Sequence, residues 1–142
     1  MLEVRCPRDQ RELEEALALR ERVFCDEQGF SEEEDLDGLD DEALHLVASS
    51  GERLLGTCRL LFDGNTAKLG RMVVAADARR AGVGAALLRE AEAQARSRGM
   101  GKLVLSAQLH ARGLYARHGY RELGEIYLDG HVEHIWMERA LA

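Results

Sequence analysis

Proline is almost missing from this chain. Pro7 is the only one in 142 residues, and it marks a break between a short apolar/polar alternation and the helical run that follows. Positive charge is also in deficit. Nineteen lysines and arginines face 26 aspartates and glutamates, a formal charge of −7, which argues against a general nucleic-acid-binding surface. No run of about 18 apolar residues occurs, so no membrane span is expected. The opening residues Met1-Leu2-Glu3-Val4-Arg5 lack the basic-then-apolar order of a secretory signal, so a cytoplasmic location is expected. The three cysteines, Cys6, Cys25 and Cys58, are odd in number and form no Cys-x-x-Cys pair. That spacing suggests neither a zinc knuckle nor a redox motif, and fits small apolar residues in a reducing compartment. His131 and His134 lie three apart in a predicted strand and would face opposite sides, so no metal site is expected. There is no internal repeat, linker or low-complexity tract. With 46% hydrophobic residues, one domain spanning residues 1–142 around one core is expected.

Periodicity supplies the elements. Leu2 to Arg5 reads as a strand, and Asp9 as the cap of a helix over Arg11 to Phe24. Its apolar stripe runs through Leu13, Ala16, Leu17 and Leu19 or Arg20. Residues 26–42 hold ten acidic side chains and no lysine or arginine, with Gly29 and Gly38 among them. They read as a long loop with a helical turn, of the kind that is often functional. Strands follow at Ala43 to Ala48, Arg53 to Phe62 and Lys68 to Ala75, joined by Ser49-Ser50-Gly51-Glu52 and Asp63-Gly64-Asn65. A helix over Ala85 to Arg98, a buried strand over Lys102 to Ala107, a short helix over Ala111 to His118 and a closing hairpin around Asp129-Gly130 complete the chain. The order describes a mixed α/β sandwich with helices covering a central sheet.

The segment Arg79-Arg80-Ala81-Gly82-Val83-Gly84 lies between an apolar strand and an apolar helix. Glycines there let a ligand approach the backbone. The unpaired first-turn N–H groups and the helix dipole favour an anion, most often a phosphate. An ordinary tight turn is the competing reading of the loop by itself. No Gly-Lys-Ser/Thr follows, which excludes a Walker loop. A dinucleotide fingerprint needs a small residue where Leu87 stands and an acid near the end of the next strand, where Gln108 stands. A pyrophosphate cradle of another kind remains, with a nicotinamide-binding domain as a weaker alternative.

Arg79-x-x-Gly82-x-Gly84 resembles the Arg/Gln-x-x-Gly-x-Gly/Ala signature of the GNAT acetyltransferase superfamily. Leu69 to Val74 is similar to the strand before that loop. Leu114-Tyr115-Ala116-Arg117-His118-Gly119-Tyr120 is similar to the family's Phe-Tyr-x-x-x-Gly-Phe segment. Val23-Phe24, Glu27-Gln28, Ala107-Gln108 and His134-Ile135-Trp136-Met137 resemble the small bacterial ElaA-like branch. The resemblance spans nearly the whole chain. It implies a mostly antiparallel, twisted sheet of about six or seven strands flanked by helices. It also implies an N-acetyltransferase using acetyl-CoA as co-substrate, with no metal. The acceptor would be a small-molecule or peptide amine, with no nucleic-acid or membrane partner. Members of the family often form dimers, so a homodimer is one expectation.

The reaction sets three requirements. A lysine-like amine, with a pKa of about 10.4, must lose its proton to attack. The tetrahedral oxyanion needs a donor. The leaving thiolate, of reference pKa about 8.5, benefits from a proton. The resemblance makes Tyr115 the acid. It makes the backbone N–H of Val73 the oxyanion donor, with Met72 and Val74 pairing with the pantetheine arm as an added strand would. Arg79, Arg80, Ala81, Gly82, Val83, Gly84 and Ala85 become the pyrophosphate cradle, and Gln108 contacts the coenzyme or caps the next helix. Glu27 is the preferred base because it matches the branch motif, with the other loop acids, His110 and His134 as further candidates. The acids of residues 26–42, each by itself a solvated charge, would together attract a cationic amine. A catalytically silent acyl-CoA-binding sensor or interaction module is the alternative.

Overall fold

The computed structural model describes residues 1–141. Among them no helix is long and apolar enough to cross a membrane. Seven strands are formed: β1 (Leu2–Arg5), β2 (Leu44–Ser50), β3 (Arg53–Asp63), β4 (Thr66–Val74), β5 (Lys102–Gln108), β6 (Arg121–Asp129) and β7 (Val132–Ala140). They make one sheet in the order β1-β2-β3-β4-β5-β7-β6. Every neighbouring pair is antiparallel except β4 and β5, which run parallel. The mostly antiparallel, helix-flanked sheet expected from the sequence is therefore present, with seven strands.

Four α-helices accompany the sheet: α1 (Gln10–Glu21), α2 (Glu32–Asp35), α3 (Val83–Ser97) and α4 (Arg112–Arg117). Asp9 caps α1 by accepting from the Glu12 N–H at 2.9 Å. The predicted run to Phe24 changes pitch, because Arg22–Glu27 continues α1 as a π-helix. Helix α3 starts earlier than periodicity suggested. It buries Val83, Leu87, Leu88, Ala91 and Ala95 against the sheet, leaving Ala86 half-buried beside the stripe. Glu92 is buried in the same face, where it accepts from Tyr120 Oη at 2.8 Å and Arg139 Nη1 at 3.0 Å. Alternate residues of β3 serve opposite faces. Cys58 and Leu60 join the core under α3, while Thr57 and Arg59 face the α1 side. Gly56 permits the close approach of α3. A Cβ there would lie 2.9 Å from both the Val73 carbonyl oxygen and Val83 Cγ1.

The acidic stretch is not a freely solvated loop. Beyond the π-helix it forms α2, whose N-terminus carries a reciprocal cap between Ser31 and Glu34, and a 3₁₀ turn at Asp40–Glu42. Three arginines from outside it neutralise its inner face. Arg20, buried in α1, donates from Nη1 and Nη2 to the two Asp40 carboxylate oxygens at 2.8 and 2.7 Å. Its Nε lies 2.9 Å from Asp35 Oδ1, in ion contact but not aligned as a hydrogen bond. Arg59 on β3 donates to both Asp37 oxygens and, at 2.9 Å, to Asp40 Oδ1. Arg71 on β4 donates to the carbonyls of Glu34 and Asp35 at 3.1 and 3.2 Å and to Asp37 Oδ2 at 3.3 Å. The expectation that these acids act as surface charges is thus corrected for Asp35, Asp37 and Asp40. Long-range pairing with three arginines makes them the anchor of the segment.

Hydrogen bonds from Arg20 and Arg59 lower the Asp40 carboxyl to about 2, and Arg59 holds Asp37 well below the usual carboxylate range. Both groups bind protons less readily in the folded chain than in the unfolded one, where an aspartate titrates near 3.9. Their stabilisation is complete above that value and is lost as pH falls toward 2. In urea unfolding at pH 7, Asp40→Asn is expected to lose about 3–5 kcal/mol, because it leaves buried guanidinium charge uncompensated. The gap from wild type should narrow steadily between pH 4 and pH 2.

Candidate active site

β4 and β5 pair only from Thr66–Lys102 to Leu69–Leu105. Beyond that point they part. The cause lies in β4, where Arg71 and Met72 together oppose the single residue Cys58 of β3. Arg71 takes a positive φ of 51°, a left-handed conformation that a side chain adopts at a cost. Its guanidinium is clamped by the carbonyls of α2, which holds the bulge in place. The parted strands open a cleft of about 530 Å³ that is lined from both faces of the sheet. Gly84, Leu114 and Tyr115 border it on the α3 side, and Phe24, Phe30 and Trp136 on the other.

The ladder decides which main-chain groups face this space. The Ala75 N–H donates to the Leu55 carbonyl at 2.8 Å. Antiparallel alternation then sends the Val73 N–H to its partner Thr57, and turns the amides of Met72 and Val74 toward the parted side. The Val74 carbonyl faces that way as well, since it accepts from Arg79 Nε at 3.2 Å. Val73 lines the cleft, but the amide expected of it belongs to the β3 ladder. The neighbouring Met72 and Val74 amides carry the open donors.

The Arg79–Ala85 loop leads into α3 through Gly82, at φ 82°, and no side chain caps the helix. Arg80 also has a positive φ, 65°. The Ala86 N–H bonds to the Gly82 carbonyl at 3.0 Å, whereas the N–H groups of Arg80, Ala81, Gly82, Val83, Gly84 and Ala85 find no acceptor among the described residues. Six adjacent donors at a helix N-terminus make an anion cradle. Arg80, Ala81 and Gly82 are exposed, Val83 is buried in the core, and Gly84 lines the cleft itself.

Tyr115 is 8% exposed and lines the cleft, with its Oη 3.7 Å from Met72 Sδ. The ring sits edge-on to Tyr120. Burial pushes the phenol well above its ordinary pKa, so it keeps its proton at neutral pH. Glu27 is placed differently from its expected role. At the end of the π-helix it accepts from Arg79 Nη2 at 2.8 Å, and it does not border the cleft. Gln28, the next residue, does border it and exchanges amide hydrogen bonds with Gln108 at 2.8 and 3.3 Å, tying the π-helix to the end of β5. Gln108 thereby has a partner other than the α4 terminus.

His134 lies on β7 opposite Gln108 and is 6% exposed. Its Nδ1 is 2.9 Å from the Val132 carbonyl, which can only accept, so Nδ1 carries a hydrogen and, in the neutral ring, Nε2 is the acceptor. Beside it, Tyr127 stacks on Trp136 with ring centroids 6.2 Å apart, and its hydroxyl bonds Ser106 Oγ. Sequence reasoning gave no role to Trp136, Tyr127 or Lys68. The only signal was that His134-Ile135-Trp136-Met137 alternates, which places His134 and Trp136 on one face.

A buried proton donor, a proton acceptor, inward-facing amides and an anion cradle around one cleft suit acyl transfer from a phosphate-bearing thioester. Comparison with known proteins agrees. The acetyltransferase (GNAT) domain family matches residues 11–141. The uncharacterized N-acetyltransferase YjcF of Bacillus subtilis is 35% identical over 131 residues, 92% of this chain and 94% of that one. The crystal structure of an acyl-CoA N-acyltransferase from Pseudomonas aeruginosa is 33% identical, covers 99% of this chain and 100% of its own, and has a TM-score of 0.86. Escherichia coli ElaA is 25% identical, with 98% and 99% coverage and a TM-score of 0.87. The chain belongs to the GNAT acetyltransferase family.

Proposed function

We propose that this protein is an acetyl-CoA-dependent N-acetyltransferase in which a primary amine attacks the thioester directly in a ternary complex. The observation that carries the reading is one cleft between parted β4 and β5, lined by Met72, Val74 and Tyr115 and by Gly84 of the loop whose amides at residues 80–85 are free. The loop amides hold the coenzyme pyrophosphate. The Val74 N–H and C=O meet the pantetheine arm as an added strand would, with Arg79 giving up its bond to the Val74 carbonyl. The Met72 N–H donates to the thioester oxygen and stabilises the oxyanion that develops there.

His134 Nε2 takes a proton from the ammonium, directly or through one water, and replaces Glu27 in that role because Glu27 is held by Arg79 outside the cleft. The amine nitrogen then bonds to the carbonyl carbon. As the intermediate collapses, the carbon–sulfur bond breaks and Tyr115 Oη gives its proton to the departing sulfur. The acylated nitrogen loses its second proton to solvent, amide and free coenzyme thiol leave, and the proton held by His134 returns Tyr115 to its neutral form through solvent.

The test is release of free thiol from acetyl-CoA with a panel of primary amines. Tyr115→Phe is expected to lower kcat about 100-fold while acetyl-CoA binding, measured by calorimetry, stays within about threefold. Unchanged turnover would remove Tyr115 as the acid. His134→Gln is expected to lower kcat by a similar factor, again with coenzyme affinity preserved, and full activity in this variant would return the base to another group. Tight acetyl-CoA binding with no transfer to any amine would establish the silent coenzyme-binding module instead.

A further inference from the structure

Three lysine or arginine side chains border the cleft: Lys68, Arg71 and Arg79. Two of them are already committed. Arg71 is bound to Asp37 and to the carbonyls of Glu34 and Asp35, and Arg79 is bound to Glu27. Lys68 forms no hydrogen bond or ion pair with any described residue. Its ammonium instead rests 5.1 Å from the centre of the Trp136 ring. Tyr127, from β6, stacks on the same indole. The lysine is therefore held in position by an aromatic wall, and its three N–H donors remain available.

The carboxylates that border the same cleft do not neutralise it. Asp35 belongs to Arg20, and Glu34 accepts from the Ser31 backbone. Asp129 stands at the tip of the β6–β7 hairpin, paired with Val132, beyond the His134–Tyr127 level and away from the Trp136 level where Lys68 lies. Lys68, itself exposed at the mouth of the cleft, is thus the one lining lysine or arginine without a carboxylate partner among the described residues.

Resting on the acetyltransferase reading, we propose that the acceptor is an amine that also bears a carboxylate, and that Lys68 recognises that carboxylate. The sheet sets the spacing. Trp136 is opposite Ser106, one residue past the last β4–β5 pair, so the Lys68 ammonium lies near the level of Gly70. Met72, whose amide faces the thioester, is two strand residues further along, roughly 7 Å at about 3.3 Å per residue. An acceptor whose amine and carboxylate are several bonds apart, as in an ω-amino acid or a dipeptide, spans that interval. The indole and phenol rings of Trp136 and Tyr127 flank its aliphatic stem.

Transfer is measured with ω-amino carboxylates from glycine to 6-aminohexanoate, with n-alkylamines of matched length, and with the corresponding diamines. Wild type is compared with Lys68→Gln, Lys68→Glu and Lys68→Arg. For wild type, kcat/KM is expected to peak in the longer amino carboxylates at least tenfold above the matched alkylamine. Lys68→Gln should erase that preference through KM, leaving kcat with alkylamines within about twofold, and Lys68→Glu should shift preference to diamines. Lys68→Arg should retain the preference. A merely structural lysine would change melting temperature and lower all three series alike. Wild-type preference for alkylamines or diamines, or an unchanged selectivity ratio in Lys68→Gln, overturns the carboxylate proposal and leaves acetyl transfer standing. Transfer to none of the three series, with acetyl-CoA still bound, overturns both readings.

Discussion

The parting of β4 from β5 is the constraint on which the rest depends. Two parallel strands that pair at Leu69–Leu105 would ordinarily continue to pair, since their next amides and carbonyls need partners. Here the bulge at Arg71 turns β4 aside, and the main-chain groups of Met72 and Val74 are left facing a space rather than a strand. A left-handed arginine costs free energy, so something must hold it. The Arg71 guanidinium, fixed to two carbonyls of α2 and to Asp37, is that restraint. The cleft is thus a property of the sheet and of the segment packed over it together.

This view changes the meaning of the acidic segment. Burying Arg20 and Arg59 is costly, and close ion contacts with Asp35, Asp37 and Asp40 offset that cost, although Arg20 Nε, Asp35 Oδ1 and Arg59 Nε make no hydrogen bond. Such a network adds little net stability relative to an apolar core of the same shape. What it does supply is a unique placement for a stretch that has few apolar side chains to bury. The same arginines that neutralise the stretch stand on α1, β3 and β4, so docking it registers three elements against one another. The exposed acids, among them Glu32, Glu33 and Glu42, remain at the surface and contribute to solubility.

Local signals in the sequence located the elements well, because they rest on short-range physics. The Asp9 cap, the apolar stripe of α3 and the glycines of the cradle are each decided within a few residues. The same holds for the anion cradle, since a helix N-terminus with unpaired amides follows from the loop alone. Long-range pairings were hidden. Arg20 stood only as an alternative to Leu19 in the apolar stripe of α1, because its partner Asp40 is twenty positions away. Glu27 and Gln28 are neighbours in one motif, and that motif singled out Glu27 as the base. The change of pitch at Arg22–Glu27 ties the first to Arg79 and directs the second into the cleft. Val73 and Met72 differ only by the alternation of the ladder, which is fixed once the bulge is placed and not before.

The two halves of the cleft are built from different materials. Toward α3 the contacts are main-chain amides, indifferent to side-chain identity so long as glycine permits the path, and a signature of a few residues suffices to specify them. Toward Phe30, Tyr127 and Trp136 the contacts are side chains gathered from α2, β4, β6 and β7 and from the turn before α2. Each can change without disturbing the amides of residues 80–85, which lie on a separate loop. A fold arranged in this way leaves its side-chain wall free to vary while its main-chain cradle stays, so selectivity is to be sought in charges such as Lys68 rather than in the cradle.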